Sequence, residues 1–224
     1  MNYPYTMTLQ SVEPVTHDTR RFRFDRPDGF RFEPGQATHL AIDREGWRDE
    51  DRPFTMVSQP EVREHLDFVI KIYDDHDGVT SRLDTLKPGD RVFTTEAEGA
   101  ITDHGAGTFL AAGAGITPFI AILDARARNG GLKGETLIFA NKTKRDIILR
   151  DHWDDLDGLT THYITDETGD ALPDGPIDRD FLEGRLPTDR PVYICGPQGF
   201  VDAMRQAAKD LGVPEEHIVT EAGW

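Results

Sequence analysis

The sequence predicts a two-domain β + α/β protein, an antiparallel six-stranded β-barrel with one helix followed by an α/β domain built on a parallel sheet. Two patterns and one bound carry this. The N-terminal part reads as short strands in which β-branched and aromatic residues alternate with polar ones. From Gly107 onward, apolar strand runs alternate with helical segments, the signature of a parallel sheet with crossover helices. A length of 224 residues leaves room for two domains of ordinary size.

The barrel strands are expected at 5–13, 18–25, 36–42, 53–58, 66–73 and 91–96. Pro27-Asp28-Gly29, Glu33-Pro34-Gly35 and Lys87-Pro88-Gly89-Asp90 punctuate them as turns. Six strands at this spacing hide their edges by closing into a barrel. One helix, 79–86, interrupts the series. In the second half, strands are expected at 108–112, 136–140, 160–164, 192–195 and 217–220, with helices at 118–128, 146–156, 178–182 and 199–211. The domains divide as 1–104 and 105–224, and His104-Gly105-Ala106-Gly107 is expected to act as a flexible joint. The stretch 166–176, rich in Asp, Gly and Pro, is the longest irregular segment.

Composition narrows the function classes. The 25 Lys and Arg against 41 Asp and Glu give a net charge of -16, which argues against nonspecific binding to nucleic acid or to an anionic membrane. No apolar run approaches the ~20 residues that span a bilayer. The start shows no basic region followed by an apolar stretch, so a cytoplasmic location is expected. A single cysteine, Cys195, excludes an intrachain disulfide and a cysteine-ligated iron–sulfur cluster. The eight histidines have no metal-ligand spacing and no serine, histidine and aspartate set stands out, so no metal and no covalent nucleophile are expected. An acidic electron carrier would be repelled at long range unless it met a local basic patch, for which Arg20, Arg21, Arg23, Arg26 and Arg31 are the densest candidates.

Four segments carry chemistry. In Phe109-Leu110-Ala111-Ala112-Gly113-Ala114-Gly115-Ile116-Thr117-Pro118 an apolar strand enters a glycine turn and then a helix, where close backbone approach and free N–H groups favour a pyrophosphate. Pro118 departs from the usual dinucleotide fingerprint. Gly78-Val79-Thr80-Ser81 opens the barrel-half helix and is a second phosphate candidate, or an ordinary N-cap. Arg52-Pro53-Phe54-Thr55 starts a strand with a cation able to grip phosphate bidentately; alternation puts Arg52 and Phe54 on one face and Pro53 and Thr55 on the other. Cys195-Gly196-Pro197 ends an apolar strand at the carboxyl edge of the sheet, where open α/β sheets bind ligands. Taken singly, each is also compatible with ordinary structure.

Together, and in this order, the segments resemble the ferredoxin–NADP reductase superfamily along essentially the whole chain. The resemblance implies an N-terminal flavin-binding barrel, a C-terminal nicotinamide-binding domain, and FAD rather than FMN. It implies that Arg52 binds a flavin phosphate with Pro53 beside it, that Phe54 flanks the isoalloxazine, and that Thr55 hydrogen-bonds near N5. Val69, Lys71 and Tyr73 of the preceding strand join the flavin set, and Gly78, Val79, Thr80 and Ser81 hold the pyrophosphate. Gly113, Gly115, Thr117 and Pro118 would receive the pyrophosphate of NAD(P)H, with Cys195, Gly196 and Pro197 beside its nicotinamide. Phe54 stands where the family often has tyrosine, which removes a hydroxyl contact.

The segment Ile138-Phe139-Ala140-Asn141-Lys142-Thr143-Lys144-Arg145-Asp146-Ile147-Ile148-Leu149-Arg150 is similar to the NADH-dependent cytochrome reductases of this superfamily and adds Asn141 to the cofactor set. Asp166 would repel a 2′-phosphate while Lys142, Lys144 and Arg145 would attract one, a balance that leans to NADH. At the end of the chain, Trp224 would stack on the flavin with Glu221 close to N5, or fray. Thr55, Cys195 and Glu221 are thus the expected catalytic residues. The implied activity is an FAD-dependent NAD(P)H oxidoreductase serving a separate acceptor protein, a ferredoxin, flavodoxin or cytochrome, as a monomer or weak dimer. The alternatives are the reductase component of an oxygenase system, a free flavin or ferric reductase, and a flavin-bearing regulatory subunit.

Overall fold

The computed structural model describes residues 2–73, 77–99, 101–166 and 177–221. Strands β1 (Tyr5–Pro14), β2 (Thr19–Asp25), β3 (Ala37–Ile42), β4 (Asp51–Thr55), β5 (His65–Lys71) and β6 (Arg91–Thr94) form an antiparallel sheet in the order β4-β3-β6-β1-β2-β5. The two end strands meet through a bridge between Met56 and Phe68, reinforced where the Val57 N–H donates to the Asp67 carbonyl at 2.8 Å. The expected barrel is therefore nearly closed. Its interior follows the period of two: Met7 and Leu9, Phe22 and Phe24, Phe68 and Ile70 all point into one core. A short helix, α1 (Val79–Leu83), caps the barrel with Val79 and Leu83.

The second half contains β7 (Thr108–Ala112), α2 (Thr117–Asn129), β8 (Glu135–Asn141), α3 (Arg150–Asp155), β9 (Leu159–Thr165), α4 (Arg179–Leu182), β10 (Val192–Cys195), α5 (Gln198–Asp210) and β11 (Ile218–Thr220). Its five strands are parallel in the order β11-β10-β7-β8-β9. Both faces of this sheet are covered, which is why its strands read as continuous apolar runs. Leu110, Ile138, Ile164 and Ile194 pack with Met204, Ala207 and Ala208 of α5 on one face. Phe109, Ala111, Leu137, Phe139 and Tyr193 pack with α2 on the other.

That second cluster also contains Val57, Val69 and Ile101 of the barrel half. Strand β5 is therefore buried on both sides, with Phe68 and Ile70 turned to the barrel core and Val69 turned to α2 and the parallel sheet. The buried Gln59 side chain donates to the Ala121 carbonyl at 2.9 Å across the same seam. Gly35 lies so close that a Cβ there would sit 2.2 Å from the Ile101 carbonyl oxygen and 2.8 Å from Ile122 Cδ1.

Three expectations change. The segment 146–156 is not one helix. A single turn at Lys144–Asp146 is closed by Asp146, whose carboxylate accepts from the Thr143 N–H at 2.9 Å and hydroxyl at 2.6 Å. Ile147 and Ile148 then enter the core, Leu149 takes a left-handed φ of 56°, and α3 starts only at Arg150. Burial of two isoleucines outweighs helical continuity there. The joint 104–107 is pinned rather than flexible: the His104 N–H donates to Tyr193 Oη at 2.9 Å, and the Tyr193 hydroxyl donates to the Gly105 carbonyl at 2.7 Å. The basic stretch is largely engaged within the fold. Arg23 grips Asp67 through two 2.8 Å bonds, Arg20 pairs with Asp84 at 3.3 Å, and Arg26 donates to the carbonyls of Phe30, Pro60 and Val62. Among the described residues no helix is long and apolar enough to cross a membrane.

Candidate functional site

Two clefts, of about 660 and 650 Å³, meet at Tyr73, which lines both and is 46% exposed. Each lies within the usual range for small-molecule sites. The first is built on the barrel. The start of β4 supplies Arg52 and Pro53, the turn into α1 supplies Asp77, Gly78, Val79 and Thr80, and the β3–β4 loop supplies Gly46, Trp47 and Glu50. The Gly78 turn is stiffened locally, since its N–H donates to Ser81 Oγ at 3.1 Å and the Ser81 hydroxyl donates back to the Gly78 carbonyl at 2.9 Å. Ser81 thus shapes the turn rather than lining the cleft.

The second cleft opens at the carboxyl ends of β7, β8, β9 and β10. It is lined by Ala112, Gly113, Ala114 and Gly115, by Ala140, Asn141 and Lys142, by Asp166, and by Cys195, Gly196 and Pro197, with Lys71 and Asp146 on its barrel side. Gly113 has φ 52° and nothing within 4 Å of where a Cβ would stand, so its backbone is bare toward open space. Gly115 is the opposite case. A Cβ there would lie 2.3 Å from the Cys195 carbonyl oxygen and 2.6 Å from Gly196 Cα, so the glycine turn and the Cys195 loop touch backbone to backbone. Asn141 is 8% exposed, and both polar atoms of its side chain are buried with no hydrogen-bond partner among the described residues. A buried amide left this way costs about 1–3 kcal/mol, which a ligand with both donors and acceptors would recover.

Three charges tie the clefts together. Lys71 Nζ lies 2.7 Å from Asp18 and 3.6 Å from Asp146, one carboxylate from each half of the chain, and His17 Nε2 lies 3.6 Å from both acids. Burial works against ionising Asp18, but its hydrogen bond with Lys71 prevails and holds the carboxyl below its ordinary range. The same oxygens and His17 lie close enough to ligate a metal, but the Lys71 ammonium already engages both acids.

Cys195 is half-buried at the cleft, and desolvation, with the Glu221 charge adding to it, pushes its thiol up to about 12. It is a protonated, uncharged surface at neutral pH. We expect negligible alkylation of Cys195 by iodoacetamide between pH 7 and 9, with modification climbing only as pH approaches that value; a rate rising with a midpoint near the ordinary thiol pKa of ~8.5 would contradict the burial.

Several expected residues stand elsewhere. Phe54 packs on the barrel core, while its neighbours Arg52 and Pro53 share the cleft, so strict alternation did not sort these roles. Thr55 is half-buried and registers with Ala37. Val69 is 4% exposed in the seam between the halves, because β5 has no free face. The Thr117 hydroxyl donates to the Ala114 carbonyl at 3.0 Å, and Pro118 is buried at the first turn of α2, so both shape the glycine turn from behind. Glu221 accepts from the Ile101 N–H at 3.3 Å and abuts Gly99. Trp224 lies outside the described residues. Trp47, Glu50 and Asp146 line the clefts without having been singled out as binding residues; a lone tryptophan in a charged loop was the available signal for the first.

Comparison with known proteins agrees with this geometry. Residues 6–102 match the family model of an oxidoreductase FAD-binding domain, and residues 109–206 match that of an oxidoreductase NAD-binding domain. NADH-cytochrome b5 reductase 1 of Emericella nidulans is 30% identical over 95% of this chain and 76% of its own length. The chain belongs to the ferredoxin–NADP reductase superfamily. As a superfamily member it is an FAD- and NAD-binding oxidoreductase, with the barrel cleft on the FAD side and the sheet-edge cleft on the NAD side. NADH-cytochrome b5 reductase 2 of Mycosarcoma maydis is 28% identical over 88% of this superfamily member, which spans 63% of that relative's length. Among solved structures, the CS-b5R domains of human Ncb5or in the NAD+ form superpose with a TM-score of 0.85 at 27% identity, covering 97% of this chain and 69% of that one.

Proposed function

We propose that this protein accepts hydride from NADH onto FAD and passes the electrons singly to a separate cytochrome-type acceptor protein. The observation that carries this is the meeting of the two clefts at Tyr73, one rooted in the barrel and one at the carboxyl edge of a parallel sheet. A hydride donor and its acceptor need reacting atoms about 3–3.5 Å apart, and the border of the two clefts serves that. FAD, when bound, supplies the change from two-electron to one-electron chemistry; the protein supplies position and electrostatics.

Arg52 offers a bidentate cation to the FAD diphosphate, and the Gly78–Thr80 turn offers bare backbone beside it. Gly113 and Gly115 receive the nicotinamide cofactor's diphosphate, with Asn141 bonding it from β8. The half-buried Cys195 thiol and the Gly196-Pro197 backbone form the wall against which the nicotinamide lies. Lys71, held by Asp18 and Asp146, fixes how the two clefts face each other. The net charge of -16 favours an acceptor that presents a basic face.

Asp166 stands at the end of β9 in the NAD cleft, where a 2′-phosphate would be repelled. We expect Asp166→Ala to raise kcat/KM for NADPH about tenfold with little change for NADH, as one like-charge contact is worth about 1.4 kcal/mol; an unaltered ratio in steady-state assays would remove Asp166 from cofactor choice. The function itself is tested by purifying the protein, recording its visible spectrum, and titrating it anaerobically with NADH and with NADPH before adding a b-type cytochrome. A colourless protein that takes up no flavin, or a flavin that NADH does not reduce, would overturn the proposal.

A further inference from the structure

The chain passes from the barrel to the nicotinamide half through a joint that a buried hydroxyl holds, and we infer that Tyr193 is a positioning residue for hydride transfer, keeping the nicotinamide wall at one distance from the barrel cleft. The inference rests on the function proposed above. Strand β10 is an apolar run, and its second residue needs only bulk to fill the core shared with α2, yet it carries a hydroxyl. Tyr193 is fully buried, and a buried hydroxyl costs free energy unless it is bonded. Its two hydrogen bonds both go to the joint: it accepts from the His104 N–H at 2.9 Å and donates to the Gly105 carbonyl at 2.7 Å.

Without that clamp the joint has the makings of a hinge. Gly105 has φ 110°, a conformation that glycine adopts freely, and nothing lies within 4 Å of where its Cβ would stand. Hinges of this kind absorb the rotation between two bodies and act on the chemistry from a distance. The clamp itself is stiff. The Tyr193 ring stacks on Phe109 of β7 with centroids 4.3 Å apart and planes 1° from parallel, and Phe119 meets it edge-on at 6.3 Å. The chain leaving the joint has no slack, since a Cβ on Gly107 would stand 2.1 Å from the Pro191 carbonyl oxygen just ahead of β10. Two residues beyond Tyr193, on the same face of β10, comes Cys195, which packs against the same core and lines the NAD cleft. One strand thus carries both the grip on the joint and the wall for the nicotinamide, about 7 Å apart. The apolar seam at Val57, Val69 and Ile101 keeps the halves together but is non-directional, whereas the hydrogen bonds at the joint fix an angle.

The test compares the wild type with Tyr193→Phe, which keeps the ring and removes only the oxygen. Amide hydrogen exchange, measured before any NADH is added, is expected to quicken at least tenfold at His104 while Phe109 and Val192 stay within about twofold of wild type. Stopped-flow reduction of the bound flavin at saturating NADH is expected to slow about tenfold with the NADH Kd within about twofold, because misplacing the donor, not losing it, sets the rate. With NADH deuterated at C4, the isotope effect should depend more steeply on temperature in the variant, as it does when donor and acceptor must first be brought together; lost stability alone does not produce that signature. Unchanged exchange at His104 would overturn the clamp. Faster exchange with the reduction rate and isotope effect of the wild type, or a slower rate explained by weaker NADH binding, would overturn the positioning role. A wild type whose flavin NADH does not reduce would instead overturn the proposed function, a failure told apart because the exchange measurement needs no NADH.

Discussion

Replacing Gly115 with alanine is expected to slow reduction of the bound flavin by NADH about 100-fold while leaving FAD content unchanged. The new Cβ would stand 2.3 Å from the Cys195 carbonyl oxygen and 2.5 Å from its carbonyl carbon. These are backbone atoms, so no rotamer change relieves the contact. Either the glycine turn or the Cys195-Gly196-Pro197 loop must move by the better part of an ångström, and both line the NAD cleft. A displacement of about 1 Å in a positioned hydride donor costs rates of that order. The barrel cleft shares no residue with this contact, so FAD binding is the internal control. Stopped-flow reduction at saturating NADH makes the measurement, and a rate within threefold of wild type would mean that the turn has slack which the close approach does not suggest.

The second large effect concerns stability. Glu135, the first residue of β8, is 1% exposed, and Arg126 of α2 bonds it at 2.7 Å while reaching Asp103 at 3.1 Å. Desolvation pushes the Glu135 carboxyl above its ordinary range even though Arg126 pulls it down. Arg126→Met removes the main counterweight to that burial and leaves only the more distant Arg190 charge, and stranding a buried charge costs about 3–5 kcal/mol. The sign with pH follows. An acid whose folded pKa is raised favours the folded state below its unfolded pKa, and that contribution is lost as pH rises through the folded value. The deficit of Arg126→Met in urea unfolding should therefore be largest at neutral pH and shrink as the carboxylate titrates on acidification. Arg126→Met combined with Glu135→Leu should recover most of the loss. A pH-independent deficit would assign the effect to lost packing of the arginine stem.

How much of this was legible in the sequence depends on the range of the forces involved. Strand alternation and the switch to apolar runs at Gly107 are local, and both sheets lie where they read. The glycine turn before Pro118 and the strand-end Cys195 were visible because geometry near a phosphate demands particular residues at particular places. Their contact, Gly115 against Cys195, was not, since it joins positions 80 residues apart. Val69 shows the same limit from the other side. The apolar run 68–73 announces a buried strand, but nothing local says that its second face belongs to another core. Asp146 was drawn into a helix because its neighbours have helical spacing, whereas a hydrogen bond from Thr143 and the burial of Ile147 and Ile148 decided otherwise. Trp47 sits in a loop of charges with no period, so its place on the cleft emerges only when the barrel brings it to the same cleft as Gly78.

Strand β5 carries one further consequence, for how such proteins can be recombined. With Phe68 and Ile70 in one core and Val69 in the other, the two halves are not interchangeable parts joined by a tether. A chimaera that exchanges the nicotinamide half alone inherits a mismatched seam at Val57, Val69, Ile101 and Gln59, the contacts that hold the two halves against each other. Swapping donor specificity by shuffling therefore requires the crossover to carry both faces of a single strand, which makes the functional unit of inheritance neither domain but the interface between them.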